Sequence, residues 1–311
     1  MRILITGGTG FLGRPLVQQL TALGYACIVM TRDPARARRC GFPPEVQIVA
    51  PDALPAAEVV IHLAGEGIVG LWTPAKRRAI LDSRVQGTRR LIESLRRAKV
   101  RPHTLLAASA VGIYGDRPGE TLDETSAPDP AASFRAEVCR RWEAEANRAD
   151  ALGVRVVNLR IGNVMAPHGG FLGGILPVFR TLGGITLGDA GAVLPWLPLA
   201  DFVGLVCFAL ANERWHGPLN LTHPQPLTRA ELAVALARHL RRPCPWQISS
   251  IWLRRSLGDF ASALVDDQRV VSTKVATSGY HFSCATWATF LEETFPALIP
   301  ARDCAPRDIG S

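Results

Sequence analysis

Ile3-Leu4-Ile5-Thr6-Gly7-Gly8-Thr9-Gly10-Phe11-Leu12-Gly13 decides the fold of this chain. An apolar run leads into a Gly-x-x-Gly-x-x-Gly turn, and the residues beyond carry Leu12, Leu16, Leu20 and Leu23 at helical spacing. Strand, turn and helix in that order open a βαβ unit. Gly7 permits the tight turn off the strand. Gly10 lets the backbone approach a pyrophosphate without a Cβ in the way, and Gly13 lets the helix pack closely on the sheet. Gly7, Gly8, Thr9, Gly10, Phe11, Leu12 and Gly13 therefore form the expected phosphate cradle, where free amides and the helix dipole favour an anion.

Outward from this turn, strand and helix patterns alternate, as in a doubly wound parallel sheet. Strands are expected at Arg2–Thr6, Ala26–Thr31, Val46–Val49, Val59–Leu63, Thr104–Ser109 and Val154–Arg160, short and apolar as strands covered on both faces are. Thr73-Pro74 predicts a helix start running to about Arg97, and Asp129-Pro130 predicts another, with Phe134, Val138 and Trp142 on one face. After Arg160 the texture turns glycine-rich through Gly191. Phe202–Leu210 reads as a helix, and Thr228-x-x-Glu231 as a capping box opening one more. The fold class is α/β, a Rossmann-type doubly wound parallel sheet with a smaller C-terminal α+β lobe. Residues 1–165 are expected in the dinucleotide domain with 195–220 returning to it, 166–194 and 221–300 in the substrate lobe, and 301–311 as a tail.

The end of the second strand tests which dinucleotide is bound. An acid there would take the ribose 2′-hydroxyl of NAD. This chain offers Thr31-Arg32, a hydroxyl and a guanidinium suited to a 2′-phosphate, so NADP(H) is the expected cofactor. In the competing arrangement Arg32 is merely exposed and Asp33 takes the ribose. At the end of the fourth strand, Leu63, Ala64 and Gly65 are small enough for adenosine and ribose to lie against the backbone. His62 before them reads as a satisfied strand residue.

The composition, 48% hydrophobic and 20% charged, excludes disorder. No apolar run reaches the length of a membrane helix, and the N-terminus enters a strand with no cleavage pattern, so the cytoplasm is the expected compartment. The net charge of +8 comes from arginines spread along helices without interleaved aromatics. That suits solvated faces and an anionic cofactor better than nucleic acid. Seven scattered cysteines form no Cys-x-x-Cys pair and have no histidine at zinc spacing, so no metal is expected. The expected partner is a small molecule, and oligomeric state is not legible.

With these residues in hand, the chain resembles an extended short-chain dehydrogenase/reductase, and more closely the epimerase-family proteins of the atypical group 39U, sometimes labelled SulA-like. The resemblance rests on Thr6–Gly13, His62–Glu66, Asp82-Ser83-Arg84, Ala108-Ser109-Ala110-Val111-Gly112-x-Tyr114-Gly115 and Glu137-Val138-Cys139-x-x-Trp142-Glu143. It continues through Arg160-x-Gly162-x-Val164, Gln268-Arg269-Val270 and Gly279-Tyr280-x-Phe282. It implies NADP(H) binding, puts Arg84 near the cofactor in place of a usual asparagine, and adds Arg160 to the cofactor set. Typical members carry Ser and Tyr-x-x-x-Lys, in which the tyrosine moves the proton and the lysine lowers its pKa and holds the ribose. Counting back from Glu143, Arg135 stands at the tyrosine position and Cys139 at the lysine position. Where relatives have a Trp-Ile-His-Ile-Asp-Asp loop, Trp196–Asp201 keeps Asp201 and lacks the histidine.

The remaining candidates for chemistry are Ser109, to orient a carbonyl; Tyr114, as proton donor on the loop leaving the fifth strand; and Cys139, as a thiol. Two functions stay open. One is an NADP(H)-dependent oxidoreductase or epimerase acting on a small polar carbonyl or sugar-nucleotide-like substrate. The other is a cofactor-binding regulatory protein that lost its chemistry.

Overall fold

The computed structural model describes residues 1–51, 54–131 and 133–295. Seven strands form the central sheet: β1 (Arg2–Thr6), β2 (Ala26–Met30), β3 (Gln47–Val49), β4 (Val59–His62), β5 (Thr104–Ala110), β6 (Arg155–Ile161) and β7 (Gly217–Leu221). Their order is β7-β6-β5-β4-β1-β2-β3, and every pairing is parallel. Alternation along the strands feeds two cores. Ile3, Ile5, Val29 and Ile61 meet α1 (Gly13–Ala22) through Leu16, Val17 and Leu20. On the opposite face Leu4, Ile28, Val60 and Leu105 meet Leu91, Ile92 and Leu95 of α2 (Pro74–Arg97) and Ala146 of α3 (Phe134–Asn147). The chain reverses its winding between β1 and β4, the switch point at whose carboxyl-end crevice open α/β sheets bind their ligands.

β7 was not among the expected strands. Gly217, Pro218 and Asn220 interrupt its apolar run, and pairing along β6 is what makes it a strand. α3 starts later than its proline suggested. Ser133 caps it by accepting the Ala136 amide, while Asp129 is spent on the amides of Ala131 and Ser133 in the turn before. The helix after Thr73 runs to Arg97 as read, with the threonine hydroxyl accepting the Lys76 amide.

A separate core joins α4 (Gly170–Leu182), α5's neighbouring strand residue Trp196, α6 (Arg229–His239) and α7 (Trp287–Thr294), where α5 is Leu199–Ala211. α5 itself packs on the sheet through Phe202, Leu205 and Val206. The lobe is not continuous over 221–300. Val275 enters the sheet's core, and Tyr280 and Phe282 pack against it, so the chain crosses back before α7. The tail at 301–311 lies outside the described residues. Among the described residues no helix is long and apolar enough to cross a membrane, and no group of three or more His, Cys, Asp or Glu is placed to hold a metal ion.

Candidate functional site

The glycine turn sorts itself by what surrounds each residue. Gly7 has φ +75°, and a Cβ there would stand 2.7 Å from the Ala64 nitrogen. A Cβ on Gly13 would stand 2.3 Å from the Gly7 carbonyl oxygen. Both positions are closed by backbone that cannot yield. Gly10 is exposed, and a Cβ there would meet one atom, the Gly7 oxygen at 3.2 Å. Its outer side is open. The Gly10 amide bonds to Gly7, whereas the amides of Phe11 and Leu12 have no backbone acceptor among the described residues. Donors without partners beside an open glycine fit the phosphates of a dinucleotide. Phe11 reaches across to the lobe, where its ring fills the space next to Gly169 and Gly170 at the start of α4.

At the end of β2, the Asp33 carboxylate accepts the Arg36 amide at 2.9 Å and so caps the helix Pro34–Arg38. The Thr31 hydroxyl accepts the Asp33 amide. Arg32 stays exposed. The carboxylate that could compete for a ribose thus gives one oxygen, Oδ1, to a helix cap.

At the end of β4, His62 is buried between two hydroxyls, Nδ1 2.6 Å from Thr6 Oγ1 and Nε2 3.0 Å from Thr88 Oγ1. Burial pulls its pKa down to about 4, so the ring is neutral and ties β1, β4 and α2 together. Leu63, Ala64 and Gly65 follow, with Gly65 exposed. Glu66 pairs with Lys76 at 2.7 Å and accepts nothing from the cofactor side of the protein that the sequence had singled out except through its carbonyl, which takes a hydrogen bond from Arg84 Nη1 at 3.0 Å. Arg84 lies along Gly65 and over the ring of Trp142, its Cζ 5.0 Å from the ring centroid.

One face of α3 runs along the end of β5 and the turn after it. Glu143 accepts the Ser109 hydroxyl at 2.6 Å, Cys139 lies against the Ala110 backbone, and Arg135 packs on Gly112. Spacing of four places all three on this face. None is placed for proton transfer. Arg135 turns toward the lobe and donates to the Ser262 carbonyl, to Asp266 at 3.1 Å and to Gln268 at 3.3 Å. The Cys139 thiol is 5% exposed, and burial followed by the Glu143 charge pushes its pKa up to about 11. The chemistry expected of this thiol does not fit such a setting, because a buried neutral thiol is a poor nucleophile.

Two further expectations are corrected. Tyr114 is 0% exposed. Its hydroxyl lies 2.8 Å from the Asp123 carbonyl and from Asn220 Oδ1, and accepts from Arg160 Nη1 at 2.8 Å. Burial raises its pKa against the opposing pull of Arg160, and the side chain has no surface exposed to solvent. Arg160 is equally occupied. It grips Glu143 through Nε and Nη2, both at 2.9 Å, beneath the crevice floor. Burial alone would lower its pKa, but the Glu143 hydrogen bonds and charge outweigh that and raise it. Its hydrogen bonds go to Glu143 and Tyr114 instead of pointing to a phosphate. Ser109 is 2% exposed and belongs to the same network.

Asp201 accepts from the Tyr280 hydroxyl, the Ser283 amide and the Ser283 hydroxyl, which anchors the returning segment to α5. Glu143 was quoted in the sequence but given no role. Its position one turn beyond Cys139 was the available signal.

The model of the NAD dependent epimerase/dehydratase family matches residues 3–220. Epimerase family protein YfhF of Bacillus subtilis is 34% identical over 288 residues, covering 91% of this chain and 94% of that protein. The chloroplastic SDR39U1 homolog of Arabidopsis thaliana is 32% identical, covering 91% and 83%. Among solved structures, human epimerase family protein SDR39U1 with NADPH superposes with a TM-score of 0.85 at 28% identity, covering 96% of this chain and all of that one. UDP-glucuronic acid 4-epimerase from Bacillus cereus, at 16% identity and TM-score 0.74 over 95% and 98%, shares the fold. By the extent of these matches, this chain belongs to the NAD dependent epimerase/dehydratase family.

Proposed function

We propose that this protein binds NADPH and holds it as a regulatory ligand, without the tyrosine–lysine proton relay of typical relatives. The open Gly10 turn, the exposed Arg32 and the capped Asp33 support the cofactor, as does the NADPH of the human relative. Gly8, Thr9, Phe11 and Leu12 would hold the pyrophosphate, Thr31 and Arg32 the 2′-phosphate, and Leu63 and Ala64 the adenosine side.

The observation that carries the loss of chemistry is the α3 face beside Ser109. It presents a guanidinium tied to Asp266, a thiol with a pKa of about 11 and a carboxylate tied to Arg160. Each of these side chains is engaged within the protein, and none is placed to exchange a proton with a substrate in the crevice. NADPH would supply a hydride when bound, and a reduction would need its proton from water or from the substrate itself. A reductase or epimerase acting on a small polar carbonyl or nucleotide-sugar-like substrate is the second reading. The retention of the whole C-terminal lobe favours it.

Calorimetric titration separates these readings in two steps. NADPH is expected to bind about ten- to a hundredfold tighter than NADH, and Arg32→Ala to remove most of that difference. Equal affinities in the wild type would overturn the cofactor assignment. Absorbance of bound NADPH is then followed against a panel of carbonyls and nucleotide sugars. Steady turnover of any of them would replace the regulatory reading with the enzymatic one.

A further inference from the structure

We infer that Arg84 supplies, from α2, the positive charge at the nicotinamide-ribose end of the crevice that the lysine position on α3 no longer provides. The inference rests on the cofactor reading above and concerns a different end of the ligand from Arg32.

Three contacts locate the guanidinium. Its Cζ lies 3.2 Å from where a Cβ on Gly65 would stand, so it lies against the exposed backbone at the end of β4. It stacks over Trp142, one helical turn from Cys139 on α3. Its charge is close enough to the Cys139 sulfur to oppose the upward shift that burial gives that thiol. The group is thus held between β4 and the very α3 position where a lysine would have projected its ammonium. A cation has not been lost from this corner; it arrives from the opposite helix.

The donor inventory points outward. A guanidinium has five N–H donors in a rigid fork. Here Nη1 donates to the Glu66 and Ile80 carbonyls, at 3.0 and 3.3 Å. Nη2 and Nε have no hydrogen-bond acceptor among the described residues, and neither is among the fully buried unpartnered atoms. The Glu66 carboxylate is itself paired with Lys76 at 2.7 Å, so its charge is shared between two cations. Trp142 and the two carbonyls fix the fork, so little side-chain freedom is lost when it meets ribose hydroxyls. Gly65 is the residue type that this arrangement requires, because a side chain there would push on the guanidinium.

The test titrates wild type, Arg84→Gln and Arg84→Lys with NADPH, with NADH and with adenosine 2′,5′-bisphosphate, which lacks the nicotinamide half. Thermal melts check that each variant is folded. Arg84→Gln is expected to weaken NADPH and NADH alike, by about ten- to a hundredfold, while leaving the bisphosphate unchanged. Arg84→Lys should recover part of the loss, because it restores a charge without the fork. Unchanged NADPH affinity in Arg84→Gln would overturn the inference and leave the cofactor reading intact. An equal loss for the bisphosphate would overturn it too, by showing a general disturbance of the site. A wild type that binds the bisphosphate and neither dinucleotide would bring down the cofactor reading, and this inference with it.

Discussion

Arg160 and Glu143 face each other through two hydrogen bonds of 2.9 Å, with side chains 8% and 10% exposed. Around this pair close Ser109, which donates to the carboxylate, and Tyr114, which accepts from the guanidinium. The four residues join β5, β6, α3 and the turn after β5 beneath the crevice. A buried pair of this kind is costly to break from one side, because the remaining charge is left in a poor dielectric.

Glu143→Gln is expected to cost about 3–5 kcal/mol of folding free energy, since it strands the Arg160 charge. Tyr114→Phe, which removes one hydrogen-bonding hydroxyl, should cost about 1–2 kcal/mol. Urea unfolding measures both. A Glu143→Gln protein as stable as the wild type would mean that the pair contributes nothing.

The glycines of the turn should separate fold from binding. Gly13→Ala places a Cβ against the Gly7 carbonyl and is expected to destabilise the protein or prevent its accumulation. Gly10→Val leaves the free protein folded, because its outer side is open, and blocks the place of the pyrophosphate. Circular dichroism with NADPH titration distinguishes them. A folded Gly10→Val protein with normal NADPH affinity would disprove the phosphate placement.

His62 makes stability depend on pH. Its folded pKa of about 4 lies below the ordinary 6.5, so between these values the unfolded chain binds more protons. Stability is therefore full above pH 6.5 and falls as pH drops toward 4, by up to about 3 kcal/mol from this group. His62→Gln should flatten that part of the profile. Equal slopes for the two proteins between pH 4.5 and 6.5 would show that the ring takes up its proton as readily in the fold as in the unfolded chain.

Alkylation at pH 8 should leave Cys139 unmodified in the native protein, given its burial and its pKa of about 11. Among the cysteines of the described residues, Cys40, partly exposed, should react first. Peptide mapping after brief iodoacetamide treatment reads the order, and early labelling of Cys139 would return it to the list of reactive groups.

Residues 3–13 alone determined the βαβ start and its glycine turn, because a tight turn, a close approach and a helix entry each constrain the backbone locally. Asp33-Pro34 was similarly open to local reading as a helix cap, and the burial of both strand faces was written in their unbroken apolar runs. The functional state of Ser109, Tyr114, Cys139 and Arg160 was not. Tyr114 stands where a proton donor would, yet its hydroxyl meets Asn220, 106 residues away, and Arg160, 46 away. Arg135 turns to Asp266, 131 residues away. Whether a polar side chain is a tool or a strut depends on which distant partner satisfies its hydrogen bonds and whether water reaches it, and only the folded chain brings those partners into range.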